Sequence, residues 1–171
     1  MATTRRKKED AIQLLKQDHR EVEMLFKEFE KLEQEGGGAV EPIIATACTE
    51  LKIHDKLETE LFYPAIREGA SEEELADVLD EAEVEHTSVR ELIQKIEGMS
   101  GSDEKRNAHF TVLMEYVKHH VKEEEKEMFP KVKKLEVDLK SLGARMKERK
   151  MELMEEMGVA VEELEEQDET A

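Results

Sequence analysis

Two eleven-residue stretches of this 171-residue chain share one pattern. HDKLETELFYP at 54–64 and HVKEEEKEMFP at 120–130 both read His-x3-Glu-x5-Pro, with an aromatic residue one or two positions before the proline. Histidine and glutamate four residues apart lie on one helix face, with Cβ atoms about 5–6 Å apart. The apolar residues around each stretch recur at the three-then-four spacing of a bundle core, and the face they mark carries that histidine and glutamate. A fold that turns this face inward buries two carboxylates, and such burial is costly unless it is compensated.

The helix signals define four long segments and a fifth. Asp10 with Gln13 reads as a capping box opening a helix over about 11–35, which the glycines at 36–38 end. Pro42 suits the first turn of a second helix running to about Glu68, with Gly69 as its stop. Ser71 with Glu74 opens a third, ending near Gly98, and a fourth starts near Ser102 or Asp103 and runs past Pro130 to about Leu135. At Pro64 and Pro130 a missing donor predicts a local kink or a tightened turn. Short loops make the four helices antiparallel neighbours, so the fold class is all-α, an up-down-up-down four-helix bundle with a C-terminal fifth helix. The expected organisation is a bundle over 1–137, followed over 138–171 by an amphipathic helix and an acidic tail. Leu139, Leu142, Met146, Leu153 and Met157 form a broken stripe on the fifth helix, which docks on the bundle or pairs two chains into a homodimer.

The inward stripes are Ile12, Leu15, His19, Val22, Phe26 and Phe29 in the first helix, and Ile44, Ala47, Leu51, His54, Glu58, Leu61 and Ala65 in the second. In the third they are Leu75, Leu79, Ala82, His86, Val89, Ile93 and Ile96, and in the fourth Leu113, Val117, His120, Glu124 and Met128. Each helix thus contributes one inward histidine, and two add a glutamate. No Lys or Arg lies on these stripes, so a pair of cations is the compensation the pattern calls for. Imidazole with carboxylate suits iron, manganese or zinc, and facing bundle helices build di-metal sites from such groups. The whole chain also repeats: DHREVEMLF from Asp18 aligns with EHTSVRELI from Glu85, His19 to His86 spans 67 residues and His54 to His120 spans 66. Two helix pairs related in this way imply a pseudo-twofold site, with two histidines to each metal and bridging carboxylates.

Composition narrows the partners. A formal net charge of −18 repels phosphate backbones and excludes nucleic acid as a natural partner. No stretch reaches 18 consecutive apolar residues, so no membrane span is predicted. The RRKK stretch near the N-terminus lacks an apolar core for a secretory signal and reads as a solvated end. The single cysteine, Cys48, fits a reducing, cytoplasmic setting and reads as a small apolar filler.

Taken together, DH at 18–19, the two His-Glu-Pro phrases and EH at 85–86 resemble the hemerythrin-like, or HHE cation-binding, family over about 10–135. The resemblance implies a bundle holding two non-haem iron ions with an oxo or hydroxo bridge. It makes His19 and His54 ligands of one iron, His86 and His120 ligands of the other, and Glu58 and Glu124 the bridges. Oxygen-carrying hemerythrins have a fifth histidine where Arg90 stands, and an Asp bridge five residues after the last histidine where this chain has Glu124 at four. The chain therefore looks like a four-histidine, two-glutamate branch whose irons should be more alike. The implied ligands are O2, NO or peroxide; the alternative is an enzyme with catalase-like or ferroxidase activity. Around the site, Tyr116 is a candidate donor or ligand one turn before His120, and His119 is expected outward. His109 is expected near a bundle end. Asp18, Glu85, Asp55 and Glu60 are expected at the solvated surface, with orientation of a histidine as the alternative for Asp18 and Glu85.

Overall fold

The computed structural model describes residues 9–36, 38–70 and 73–159. Helix α1 spans Ala11–Glu35. Helix α2 has three continuous parts: α-helical Glu41–Leu57, a π-helical turn at Glu58–Phe62 and α-helical Tyr63–Gly69. Helix α3 spans Glu73–Gly98. Helix α4 repeats the plan of α2, with Glu104–Glu123, a π-helical turn at Glu124–Met128 and Phe129–Val132. Helix α5 spans Leu139–Glu156. The capping box at Ser71, the RRKK stretch and the acidic end from 162 lie outside the described residues.

The caps at Asp10, Gly36 and Asp103 are those the sequence signals, and Asp138 adds one it did not single out. Asp10 Oδ1 accepts from the Gln13 N–H at 2.9 Å while Gln13 Oε1 accepts from the Asp10 N–H at 3.0 Å. Gly36 closes α1 with φ of 66°, a left-handed geometry that costs glycine little. Asp103 and Asp138 cap α4 and α5 by accepting from Lys105 and Ser141. The ring of packed neighbours runs α1–α2–α3–α4–α1, and α5 lies across α1 and α2.

The prolines act differently from expectation. Instead of a tightened turn, each is preceded by a widened one: the Tyr63 N–H bonds Glu58 O, and the Phe129 N–H bonds Glu124 O. Proline lacks a donor and its ring clashes with the carbonyl four residues back. A turn closed by i→i−5 bonds relieves both problems by adding one residue to the turn. The extra residue rotates everything after it. Leu61 and Ala65, predicted inward, are only half-buried, while Phe62, Tyr63 and Ile66 become core.

The core is split in two. Towards the α5 end, Ile12, Leu15, Leu57, Phe62, Leu79 and Phe129 pack with α5; towards the other end, Phe26, Phe29, Ile44, Ile96, Phe110 and Leu113 form a second cluster. Both clusters contribute to the same four helices, and the polar layer of His19, His54, Glu58, His86, His120 and Glu124 is buried where the helices meet. The stripe on α5 docks on its own bundle, burying Leu142, Met146, Leu153 and Met154.

Gly143 sets the distance between α5 and the bundle. A Cβ there would lie 2.7 Å from Ala11 N and from the Asp10 carbonyl carbon, and 2.8 Å from Glu9 O, all of them backbone atoms that cannot swing aside. Gly143→Ala is expected to destabilise by about 1–3 kcal/mol in urea unfolding, as overpacking does. Gly98→Ala, which meets nothing within 4 Å, is expected to leave stability unchanged within about 0.5 kcal/mol. Equal effects of the two substitutions would refute the close approach.

Candidate metal centre

The four inward histidines meet in two pairs. His19 Nε2 and His54 Nε2 are 3.2 Å apart, and His86 Nε2 and His120 Nε2 are 3.1 Å apart. The glutamates join the pairs. Glu58 Oε1 lies 2.9 Å from His54 Nε2 and its Oε2 lies 2.8 Å from His86 Nε2. Glu124 Oε1 lies 3.3 Å from His19 Nε2 and 3.2 Å from His120 Nε2. Both carboxylates are at most 1% exposed. The donor atoms of His19, His54, Glu58 and Glu124 fall within 4.8 Å of one another, as do those of Glu58, His86 and His120. All six residues predicted as ligands are thus brought together.

The outer ring nitrogens fix the tautomers. Asp18 Oδ2 accepts from His54 Nδ1 at 3.0 Å, Asp55 Oδ1 accepts from His86 Nδ1 at 2.6 Å, and Glu85 Oε2 accepts from His120 Nδ1. With those Nδ1 atoms donating, the neutral rings of His54, His86 and His120 turn Nε2 lone pairs inward. Lone pairs facing each other at 3.1 Å repel unless a cation or a proton sits between them. Two nitrogens each about 2.1 Å from one ion, at roughly a right angle, stand roughly 3 Å apart. Glu58 Oε1 and Glu124 Oε1 are buried without any hydrogen bond despite their close imidazole neighbours. Atoms that approach without donor–acceptor alignment are aimed at a shared point rather than at each other. The donor set fits a pair of metal ions.

A family model, the hemerythrin HHE cation binding domain, matches residues 10–132. The chain belongs to the hemerythrin HHE cation-binding family. No curated protein and no solved structure matches it.

Several neighbours of this hemerythrin-type centre differ from expectation. Tyr116 is 47% exposed and takes no part. The tyrosine of the site is Tyr63, whose hydroxyl is 2.9 Å from both Glu58 Oε2 and His86 Nε2, 3.2 Å from Glu124 Oε2 and 3.4 Å from His120 Nε2. The widened turn delivers it: on an uninterrupted α-helix the residue five after Glu58 points away. Asp18 is buried and Glu85 half-buried, because each props the histidine of the neighbouring helix rather than the one beside it in sequence. Asp55 is also half-buried, held between His86 Nδ1 and the Arg90 guanidinium, which donates to it at 2.7 Å. The arginine at position 90 therefore braces Asp55 and, through it, His86. His119 points outward at 62% exposure, His109 bonds the Lys105 carbonyl, and Glu60 is exposed. Cys48 is buried, and burial followed by the Glu97 charge pushes its thiol up to about 11.

The halves are not equivalent. Under the 66–67-residue repeat, Tyr63 corresponds to Phe129 and Asp55 to Val121. Phe129 stacks on His19, with planes 5° apart. His19 Nδ1 makes no hydrogen bond, its nearest carboxylate being Glu125 at 3.5 Å. Each half keeps two inward histidines, but one half is flanked by a phenol and the other by an apolar ring. Beside the histidines opens a cavity of about 40 Å³ lined by Val22, Leu51, Val89, Val117 and Val121. A water needs roughly 10–15 Å³ on the same measure, so a di- or triatomic molecule fits.

Charge compensation sets the titration of the metal-free protein. Burial favours neutral His54 and His120, but the adjacent carboxylates, Glu58 and Asp18 for one and Glu124 and Glu85 for the other, outweigh it and hold both rings well above the usual imidazole range. Burial likewise raises Asp18, Asp55 and Glu58, yet their imidazole, lysine and arginine neighbours carry all three below the usual carboxylate range. Stability from the raised histidines is complete below about pH 6.5 and lost as pH climbs through their folded values. Stability from the depressed carboxylates is complete above about pH 4.3 and lost as pH falls through theirs. Chelator-treated protein is therefore expected to melt highest between about pH 4.3 and 6.5. Bound metal, which needs neutral imidazoles, moves that maximum upward. A metal-free melting temperature that keeps rising above about pH 7 would contradict the assignment.

Proposed function

We propose that this protein holds two non-haem iron ions and binds or senses a small molecule, O2, NO or peroxide, in the cytoplasm. His19 and His54 serve one ion, His86 and His120 the other, and Glu58 and Glu124 join them. The observation that carries this reading is the paired approach of imidazole Nε2 atoms at 3.1–3.2 Å, spanned by two buried carboxylates whose Oε1 atoms accept no hydrogen bond. Iron bound there supplies exchangeable coordination positions and reversible redox chemistry. The chain's own residues do the rest. Asp18, Asp55 and Glu85 orient three of the four imidazoles, the five aliphatic residues of the cavity keep bulk water out, and Phe129 covers His19. A cavity with such walls suits a small molecule of low polarity.

Ferrous iron added in air to the metal-free protein is expected to reach two ions per chain, with new near-ultraviolet absorbance. Saturation at one ion would refute the paired site. Glu124→Ala is expected to lower bound iron to one ion or fewer, while His119→Ala keeps both; the opposite pattern would show the α4 register to be misread.

One observation favours a second reading, turnover of peroxide or of ferrous iron. Tyr63 places a phenol O–H inside the polar layer, and burial, then Glu124 and Glu58, raise its pKa so that it stays protonated. It can hand a proton to a leaving oxygen, the service a general acid supplies at about 10²–10⁴-fold in rate. If iron-loaded protein evolves oxygen from peroxide, Tyr63→Phe is expected to slow it by about 10²-fold or more with iron content unchanged. A Tyr63→Phe protein as fast as the parent would remove the phenol from the chemistry.

A further inference from the structure

Helix α5 follows the residues that supply the ligands, yet one of its side chains reaches the support of the polar layer. Lys150 Nζ donates to Asp18 Oδ1 at 2.6 Å, and Asp18 Oδ2 accepts from His54 Nδ1 at 3.0 Å. A line of three charged or polar groups therefore runs from α5 to His54 Nε2. Resting on the di-iron reading, we propose that Lys150 is a positioning residue of the metal centre: through Asp18 it fixes the His54 ring, and so couples docking of α5 to metal occupancy at the His19–His54 position.

The seating of α5 makes the lysine a fixed strut. The Lys150 side chain is 14% exposed, on a helix that buries Met146, Leu153 and Met154. Gly143 brings the start of α5 against the backbone of Glu9–Ala11, and Arg149 Nε donates to Glu60 Oε2 at 2.9 Å on α2. An ammonium this enclosed is retained only where carboxylates surround it, and Asp18 with Glu21 and Glu50 supply that field. Without the lysine Asp18, 6% exposed, would lose one of the two partners, Lys150 and His54, that offset its burial. A carboxylate on the outer nitrogen of a ligand histidine fixes the tautomer and raises the basicity of the metal-facing nitrogen.

The pseudo-repeat supplies an internal comparison. Glu85 stands to His120 as Asp18 stands to His54, but its neighbours are His119 and Glu123 rather than a lysine. The counterparts of His119 and Glu123 in the repeat are Ile53 and Leu57, both buried in the cluster that α5 joins. α5 thus covers one half of the site, and its influence should fall on one metal position. Coupling of this kind is reciprocal: whatever α5 adds to metal affinity, the metal adds to the docking of α5.

The test uses the full chain and ferrous iron under argon, titrated against a competing chelator. In Lys150→Met one of the two equivalents is expected to weaken by about 10–100-fold while the other holds, the range typical when the support of a ligand is removed. Lys150→Arg is expected to recover most of the loss, and Lys140→Met, at an exposed position on the same helix, to leave both affinities alone. Asp18→Asn interrupts the line at its middle, and adding Lys150→Met to it should cost little more. Hydrogen exchange of the parent protein gives a readout that needs no variant to fold: amides of 142–154 should gain protection on iron binding. Parental affinities in Lys150→Met, additive losses in the double variant, or unchanged α5 exchange would each overturn the proposal. A parent chain that binds fewer than two irons would instead overturn the di-iron reading beneath it.

Discussion

Two carboxylates, Glu58 and Glu124, sit almost wholly out of water among four imidazoles, and the rest of the fold is organised around making that tolerable. Removing a carboxylate from water costs several kcal/mol even after relaxation. Among the described residues no Lys or Arg pairs with either glutamate. The imidazoles do, as protonated rings in the metal-free protein or as metal ligands beside shared cations. The second solution needs every ring turned to one tautomer, which Asp18, Asp55 and Glu85 enforce for three of the four. Apolar clusters at both ends seal the layer, so its electrostatics act at low dielectric and have to be satisfied locally.

The repeat gives the centre its twofold frame, and two substitutions in that frame give it direction. Where one half has Tyr63 and Asp55, the other has Phe129 and Val121. One metal position faces a hydroxyl and a braced histidine; the other faces a stacked ring and a histidine whose outer nitrogen has no hydrogen bond. The cavity lies against histidines of both halves, so the small molecule proposed above would meet two unlike surroundings. This is chemically richer ground than two matched sites.

Much of this was legible in the sequence. Helix α1 ends where its capping box and glycines say it should, and the inward stripes of α1 and α3 are buried or half-buried at every predicted position. The six residues that converge in the polar layer could be read because an inward histidine or glutamate stands out against an apolar stripe. What could not be read has two causes. A regular 3.6-residue period carries no information about where a helix adds a residue, so the inward stripes leave out Tyr63 and point to Tyr116 as the tyrosine near the site. The available signal was the aromatic preceding proline in both repeated phrases, which marks the widened turn twice. The supporting carboxylates were hidden for a different reason. Asp18 and Glu85 hold histidines more than thirty residues away, and sequence adjacency to His19 and His86 points to the wrong partners.

The central claim is that four helices converge their imidazoles and two shared glutamates on two cations. Diffraction at the iron absorption edge, from crystals of protein loaded with ferrous iron in air, tests it most directly. The account expects two anomalous peaks within coordinating distance of Glu58, one also beside His19 and His54 and the other beside His86 and His120. A single peak, or iron found only at surface groups such as Glu85, His119 and Glu123 with the inner residues unliganded, would contradict it.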